Sequence, residues 1–413
     1  MLLILAGVAL ATLTGQGNII GNAENAVGKY NNSVASEQQF LNEIEKYFQN
    51  YLEEGNGDNP PTPPEPVDEN GLATENTTIT TDEENIQIVI PKGFAPVILT
   101  GSNSTYSLPG QDGSVKEIMP YEQWSSITAE QINQGIVIVD HAVTYTEGVP
   151  DFNEYVWISI PNCKENFKRT EWTTLLGYDE NGELGSGGRK HLLAEMETVN
   201  RFWEETTTQE YQNMIDSVEY YKGFYIGRYE ASEDTENIAQ SKRARLPWGG
   251  ISQQEIITAC KNNNDKTENM HLMYGIEYDS VLNWLIGKAI ISSPVKGEQK
   301  TMELADIQTD SGSWGNYATS KGDAGINNGK PQNTGASEYW KANNIYDLAG
   351  NVCEWTQEKY STDTGRVLRN GYYFGKGTEK SAANRYVKNH DITADNFGFR
   401  ASFFVALDAG SDA

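Results

Sequence analysis

Apolar and polar residues alternate over several short stretches of the chain, as they do in half-buried β-strands. The stretches are residues 86–91 (IQIVIP), 135–140 (GIVIVD), 155–160 (YVWISI), 366–368 and 399–405. An aromatic stretch that begins at Gly223, GFYIGRYEAS, has the same character. Because segments rich in Gly and Asn separate many of these stretches, the pattern predicts short strands joined by long loops.

Between the predicted strands, apolar residues recur with the spacing of an α-helix. Met214, Val218 and Tyr221 fall on one face of the stretch EYQNMIDSVEYY. Ser252 is followed three residues later by Glu255, a capping box that predicts the start of a helix. A further helix is predicted over about Tyr274–Ile290. The sequence therefore predicts a mixed α+β domain that is dominated by loops.

The first 84 residues differ from the rest. A helical period links Val34, Leu41, Ile44, Phe48 and Tyr51. Residues 55–84 are rich in Pro, Gly and acids and keep no apolar period, which is typical of an exposed spacer. The predicted organisation is an N-terminal helical segment at 1–54, a linker at 55–84, one domain at 85–407 and a tail at 408–413.

Charge excludes some functions. The chain carries 58 acidic and 31 basic residues, a formal net charge of −27. Nucleic-acid binding needs clustered Lys and Arg, so we exclude it as a function. Docking to an anionic membrane surface is disfavoured for the same reason.

The sequence lacks the motifs that commonly identify an enzyme. It holds no GxxxxGK[ST], HExxH, GxSxG or paired CxxC pattern. The histidines show no ligand spacing: they are His141, His191, His271 and His390. The cysteines are predicted to be free structural thiols, with one disulfide among them as the alternative: they are Cys163, Cys260 and Cys353.

From Gly223 onward the landmarks follow one order. They are GFYIGRYEAS, LPWGGISQQEIITAC, HLMYGIEYDSVLNWL, SGSWGNYA, NIYDLAGNVCEWT, VLRNGYYF, SAANRY and NFGFRAS. This order resembles the formylglycine-generating-enzyme (sulfatase-modifying factor) family. The strongest matches are Ile345–Trp355 and the Gly398-Phe399-Arg400 ending. The resemblance implies a variant of the C-type lectin fold over about residues 86–407.

The resemblance also provides a test for catalysis. Members that oxidise a cysteine hold copper with two cysteines in the stretch that corresponds to Arg369–Arg385. That stretch has no Cys here, and a soft copper ion needs thiolates. Related members hold iron with histidines, for which this chain lacks the spacing. We therefore predict a protein without copper or iron that is not an enzyme.

Calcium is the cofactor that the resemblance does imply. The matching ligands are the side chains of Asp347 and Glu354 and the main-chain carbonyls of Gly350 and Val352. Calcium prefers carboxylate and carbonyl oxygens from a tight loop, so the assignment is chemically consistent. The alternative is that the two carboxylates only cap local backbone groups.

A ligand-binding face is predicted near the C-terminus, because Tyr and Asn are favoured in binding loops. Its residues are Asn370, Tyr372, Tyr373, Phe374, Lys376, Asn384, Tyr386, Lys388, Asn389, His390 and Asp391. This pattern resembles the target proteins of diversity-generating retroelements, in which adenine-directed mutagenesis rewrites such codons. The alternative is an ordinary loop surface of fixed sequence.

The N-terminus, LLILAGVALATLTGQGNIIGNA, resembles part of the first helix of type IV pilin-like proteins of Gram-positive bacteria. Met1–Leu13 alone is shorter than the roughly 20 residues that span a bilayer. The resemblance implies a bacterial cell-surface or extracellular protein, anchored through this segment to a pilus or membrane. The segment is read as the remnant of an anchor helix that begins further upstream in such proteins.

The combined hypothesis is a surface-displayed adhesin or receptor for an unidentified protein or glycan. Two alternatives stay open. One is a divergent enzyme in which Glu230, Glu277 and Asp279 act as acid and base. The other is a structural subunit of a pilus tip.

Overall fold

The computed structural model describes residues 65–83, 86–101, 105–170, 208–262, 267, 269–295, 297–320, 329–359 and 365–407. These residues belong to one compact unit, Glu65–Ala413. The predicted N-terminal helix, the first part of the predicted linker and the C-terminal tail lie outside the described residues. No helix in the described part combines the length and the apolar character needed to cross a membrane.

The described strands are short, as the alternation predicts. In chain order they are β1 (Thr77–Thr80), β2 (Gln87–Ile90), β3 (Ala95–Leu99), β4 (Val115–Ile118), β5 (Val137–Val139), β6 (Tyr145–Thr146), β7 (Val149–Pro150), β8 (Glu154–Ser159), β9 (Gly223–Gly227), β10 (Ser232–Glu233), β11 (Ala239–Gln240), β12 (Met270–Leu272), β13 (Ile290–Ser292), β14 (Gln299–Thr301), β15 (Lys341–Ala342), β16 (Ile345–Tyr346), β17 (Cys353–Lys359), β18 (Gly365–Arg369), β19 (Arg385–Asn389), β20 (Phe397–Phe399) and β21 (Ala401–Phe403).

The described α-helices are α1 (Ala129–Asn133), α2 (Cys163–Asn166), α3 (Gln209–Tyr221), α4 (Gln253–Lys261), α5 (Gly275–Leu285) and α6 (Leu304–Gln308). In α3 the predicted face of Met214, Val218 and Tyr221 is buried. In α4 the predicted capping box forms, because the Ser252 hydroxyl accepts a hydrogen bond from the Glu255 amide while the Glu255 carboxylate accepts from Ser252.

A seven-stranded sheet in the order β12-β21-β9-β8-β5-β3-β4 forms the centre of the described unit. Its neighbouring strands pair antiparallel. Successive side chains of a strand point to opposite faces of the sheet. Val156 and Ile158 of β8 therefore pack in one hydrophobic core, and Tyr155 and Trp157 pack in a second one. Both faces of the central strands are covered, so β5 and β8 are buried along their whole length and are not half-buried as the predicted alternation implies.

A second sheet, in the order β19-β18-β17-β20, supports the C-terminal loops. The pair β17–β20 is parallel, whereas β18 pairs antiparallel with β17 and with β19. In this sheet β19 is an edge strand. The loops that carry most of the predicted binding residues therefore rest on the edge of a sheet.

Three sequence predictions need correction. The linker predicted to reach residue 84 is folded from residue 65, because β1 pairs with β2 in register from Thr77–Ile90 to Thr80–Gln87. The helix predicted to reach Ile290 ends at Leu285, where Ile286 turns to extended backbone. The strand predicted over residues 399–405 is divided at Arg400, whose side chain is drawn into the interior.

The cysteines are buried and free, as predicted. Burial raises the pKa of the Cys163 thiol to about 11, which keeps it protonated and unreactive. Cys353 is completely buried on β17, so its role is that of a small apolar side chain.

Candidate functional site

A tight loop leads into β17 and carries the predicted calcium ligands. Gly350 has a φ of +82°, and a Cβ atom there would lie 2.2 Å from the carbonyl oxygen of Asn316. Glycine is therefore required on two grounds, backbone conformation and close approach. Asp347 also has a positive φ, of 56°, and its side chain is buried.

Three buried carboxylates meet around this loop: Glu230, Asp347 and Glu354. Glu230 accepts hydrogen bonds from the Val352 amide, at 3.0 Å, and from the Asn351 side chain. Asp347 accepts from the Gly335 amide at 2.9 Å. We call this set the acidic cluster.

Arg400 is the counter-charge of the acidic cluster. Its Nη2 and Nε donate to Glu354 Oε1 at 2.8 and 3.1 Å. Its remaining donors go to the carbonyl oxygens of Gly227 and Tyr346. One guanidinium thus faces three carboxylates, so the cluster holds excess negative charge.

Burial raises the pKa values of the cluster, and neighbouring like charges add to the shifts of Glu230 and Asp347. Burial, followed by the charge of Glu354, raises the pKa of Asp347 to about 7. Burial and the charges of Asp347 and Glu354 raise the pKa of Glu230 well above its usual value. Burial also raises the pKa of Glu354, although Arg400 opposes the shift. At neutral pH these groups favour a proton or a nearby cation.

The oxygen atoms at this loop suit a hard cation. Glu354 Oε2 and Asn316 Oδ1 are buried and have no hydrogen-bond partner. In the described part of the chain no three His, Cys, Asp or Glu side chains form a metal site by themselves. A cation here would therefore combine carboxylate with carbonyl or amide oxygens, as the predicted set of Asp347, Gly350, Val352 and Glu354 does.

Asn370 joins this loop to the predicted binding face. Its Oδ1 accepts from the Gly350 amide at 2.8 Å, and its Nδ2 donates to the Gly350 carbonyl at 3.0 Å. Its φ of +71° matches the left-handed backbone that Asn tolerates at this position. The backbone amide of Asn370 also donates to the backbone carbonyl of Asn384. In return, the side-chain Nδ2 of Asn384 donates to the backbone carbonyl of Asn370.

Asn370 and Asn384 therefore do not belong among the predicted ligand-contacting residues. Both are buried, at 0 and 4 % exposure, and their side chains are used in these internal bonds. They hold the face in place without forming its surface. The sequence could not distinguish them, because Asn serves equally in exposed loops and in buried turns.

The remaining predicted residues lie at or near the surface. Half-buried are Tyr372, Tyr373, Tyr386, Lys388 and His390, and exposed are Phe374, Lys376, Asn389 and Asp391. Phe374 is 51 % exposed and lies against Tyr372 and Tyr373, with ring centroids 4.2 and 5.0 Å away. We call Tyr372, Tyr373 and Phe374 the aromatic ridge.

A second aromatic element, Tyr386 on β19, lies beside the ridge. The ammonium groups of Lys388 and Lys380 lie 4.8 and 5.4 Å from its ring centroid, within the range of cation–π attraction. Lys380 belongs to the same loop as the ridge, so it connects the two elements. Lys376 forms an exposed ion pair with Glu379.

The residues considered for an acid–base pair occupy separate networks. Glu230 belongs to the acidic cluster, Glu277 contacts His271 at 3.1 Å, and Asp279 contacts Arg369 and Arg385. Each is completely buried. The geometry gives these three carboxylates separate structural partners and does not unite them in one pocket.

The histidines are dispersed, as the sequence indicates. His141 contacts Asp140 near the surface, His271 is buried beside Glu277, and the carbonyl of His390 accepts from the Gln253 amide. His191 lies outside the described residues. Arg400 and Glu230 also belong to the calcium loop in space, but both lie far from it along the chain, and no local sequence pattern links them to it.

Comparison with known proteins defines the class. The family model of the sulfatase-modifying factor enzyme 1-like domain matches residues 194–402, half of the chain. The chain belongs to this family, and the predicted mixed α+β architecture of the formylglycine-generating-enzyme type is confirmed. No curated protein matches the chain.

Solved structures give distant matches. Treponema denticola variable protein 1 is 14 % identical, with 44 % of this chain and 85 % of that chain covered and a TM-score of 0.29. PvdO from Pseudomonas aeruginosa is 12 % identical, with 45 and 82 % covered and a TM-score of 0.31. CarF is 12 % identical, with 45 and 87 % covered and a TM-score of 0.28.

Proposed function

We propose that this protein binds a protein or glycan ligand through the aromatic ridge and the neighbouring residues of β19, and that it does not catalyse a reaction. The observation that carries the proposal is the exposed ridge itself, three adjacent aromatic rings held on a buried Asn framework. Aromatic side chains give large contact areas at low entropy cost. Rigid support lowers the cost of binding further.

The chemistry of the domain agrees with a binding role. The segment between Arg369 and Arg385 lacks the cysteine pair that copper-dependent relatives are expected to use. The candidate acid–base carboxylates are committed to buried partners. The C-terminal loops present aromatic rings to solvent together with charged side chains of both signs, a mixed surface that suits recognition.

A binding screen with matched variants tests the proposal. The protein is applied to a glycan array and to an array of extracellular proteins, and each hit is measured again with the double variant Tyr373→Ser/Phe374→Ser. We expect at least a tenfold loss of affinity, since aromatic anchors dominate interfaces. The melting temperature should stay unchanged because both residues lie outside the core.

The control removes two exposed aromatic residues elsewhere, Tyr121→Ser/Tyr220→Ser. These side chains are 40 and 52 % exposed and lie outside the face. The control should keep the parent affinity. Equal losses in both double variants, or no hit on either array, would contradict the proposal.

We also propose that calcium binds at the Asp347–Glu354 loop and rigidifies the face through Asn370. The unpartnered Glu354 Oε2 and the excess charge of the acidic cluster support this. Isothermal titration of the EDTA-treated protein with CaCl₂ should show one site, absent in Glu354→Gln. A heat signal identical in parent and variant would contradict the site.

Surface display, anchoring through the N-terminal segment and diversification remain proposals that rest on the sequence resemblances. Sequencing the 3′ end of the gene in related isolates tests diversification. Substitutions should affect the exposed positions of the face and spare Asn370 and Asn384, whose side chains are internal. A uniform sequence would indicate a binder of fixed specificity.

A further inference from the structure

A pocket of about 360 Å³ lies beside the proposed binding face, between the β10–β11 hairpin and α4. Glu233 lines it from the hairpin, Glu255 and Thr258 line it from the helix, and Trp248 and Ile251 come from the connecting loop. The volume is at the low end of the range of about 300–1,000 Å³ for ligand sites. It suits a single side chain better than a large molecule.

The charge of the pocket has one sign. Among its lining residues are two carboxylates and no Lys or Arg. Hydrogen bonds from the Ser252 hydroxyl and amide lower the pKa of Glu255, so this carboxylate stays charged at neutral pH. Both bonds end on Oε2, at 2.6 and 2.9 Å, and they leave Oε1 unused.

Trp248 adds an aromatic wall. Its backbone amide donates to Ala231 at 2.8 Å, and its ring packs 5.9 Å from that of Phe399, which fixes the indole while leaving it half-buried. Tryptophan is the best aromatic partner for an organic cation.

The pocket and the face are contiguous. The Gly250 amide donates to the carbonyl of Ala394 at 2.9 Å, and the Gln253 amide donates to that of His390 at 3.0 Å. A Cβ atom on Gly249 would lie 2.4 Å from the carbonyl of Asp395, so glycine permits this close approach. A ligand that covers His390 can therefore reach the mouth of the pocket.

We infer that this pocket receives a positively charged side chain, Arg or Lys, of a protein ligand bound on the neighbouring face. The inference rests on the proposed function, because the pocket extends that face, and it names the ligand as a protein. The cation would lie against the Trp248 indole between the carboxylates of Glu233 and Glu255. The lysines around Tyr386 belong to the neighbouring face, so the ligand would meet charges of both signs.

An NMR titration of the full chain with N-acetyl-arginine amide tests this inference. The indole N–H signal of Trp248, assigned by its loss in Trp248→Phe, should shift and saturate. N-acetyl-citrulline amide, which has nearly the same shape without the charge, should give no saturating shift. In Glu233→Gln/Glu255→Gln the affinity for the arginine probe should fall at least fivefold.

The double variant is expected to fold, because Gln at the third helical position preserves a capping box. Glu236→Gln/Glu122→Gln removes the same charge from exposed positions outside the pocket and should change the affinity less than twofold. The inference is overturned if citrulline amide binds as well as arginine amide, if Glu233→Gln/Glu255→Gln binds normally, or if no shift saturates by about 50 mM.

This experiment is independent of the one on the aromatic ridge. Tyr373→Ser/Phe374→Ser should leave the arginine titration unchanged. A failed titration together with a ridge-dependent ligand would refute the pocket alone. A glycan that binds at the ridge would likewise contradict the protein ligand inferred here.

Discussion

Two buried charge clusters contain residues of β17 and β18, and they are opposite in the balance of their charges. The acidic cluster has three carboxylates facing Arg400. The second, which we call the arginine cluster, has Asp279 and Glu358 facing Arg169, Arg369 and Arg385. The first has an excess of negative charge and the second an excess of positive charge.

The contacts of the arginine cluster are short and numerous. Arg385 Nη2 lies 2.8 and 2.9 Å from the two oxygens of Asp279, and its Nε lies 2.9 Å from Glu358. Arg369 donates to both carboxylates and stacks 4.4 Å over the ring of Tyr278. The negative charge of each carboxylate is therefore compensated by arginine side chains of the same cluster.

The two clusters shift carboxylate pKa values in opposite directions. Burial alone would raise the pKa of Glu358, but the arginines outweigh it and lower the value to about 2. The pKa of Asp279 is lowered for the same reason. In the acidic cluster burial prevails, and the pKa of Asp347 rises to about 7. The carboxylates of the two clusters are buried to the same extent. Those of the arginine cluster are fully paired with guanidinium groups, whereas those of the acidic cluster have too few positive partners.

The largest expected effect comes from breaking the arginine cluster. Asp279→Asn keeps the shape of the side chain but leaves buried guanidinium groups without their partner. The free energy of unfolding should fall by about 3–5 kcal/mol. Urea denaturation measures it, and the exposed substitution Asp82→Asn should have no such effect. An unchanged midpoint in Asp279→Asn would show that the cluster contributes little.

The arginine cluster also illustrates what the sequence could not reveal. Asp279 and Arg385 are 106 residues apart, and Glu230 and Val352 are 122 apart. Local patterns predict local structure, such as the helix cap at Ser252 and the buried face of α3. Which charges meet depends on how the sheets are paired, and no periodicity along the chain encodes that.

The same limit applies to the binding face. A run of Tyr, Asn and Lys correctly indicated loops, but it could not separate exposed from internal residues. Asn370 and Asn384 are internal because the β18–β19 register brings Arg369 opposite Arg385, which places the two Asn residues side by side. Trp248 and Glu233 were missed because they approach the face from an earlier part of the chain.

A smaller effect of opposite sign is expected in the acidic cluster. Asp347→Asn removes one of three like charges and keeps an oxygen that can accept from Gly335. In EDTA at pH 8 we expect a gain of about 1 kcal/mol, within the usual range of stabilising substitutions. With excess CaCl₂ the parent should become the more stable protein, since the variant loses a predicted ligand.

The pH dependence of the Asp347→Asn effect follows from the sign of the pKa shift. The pKa of Asp347 is higher in the folded than in the unfolded state, so the folded state binds more protons between about pH 4 and 7. The parent should therefore lose stability as pH rises through that window, and the variant should lose less. Parallel curves for the two proteins in EDTA would contradict the excess charge assigned to this cluster.

The smallest expected effect concerns His271, which lies in neither cluster. Its Nδ1 lies 2.8 Å from the carbonyl of Asn269 and its Nε2 lies 3.1 Å from the Glu277 carboxylate. A carbonyl and a carboxylate both accept hydrogen bonds, so this geometry favours the doubly protonated, positively charged ring. Burial lowers the pKa of His271, but the charge and hydrogen bond of Glu277 outweigh it and the net shift is upward.

A raised histidine pKa stabilises the folded state fully below the unfolded value of about 6.5, and the contribution is lost as pH rises through the folded value. Thermal unfolding of the parent and of His271→Gln between pH 5.5 and 9.5 measures this contribution. The difference in melting temperature should be largest at low pH and should shrink as His271 deprotonates. Because the Glu277 carboxylate is also bonded to Ser402 and the Tyr274 amide, part of the difference should persist at high pH. A difference that grows with pH would contradict a charged His271 in the folded protein.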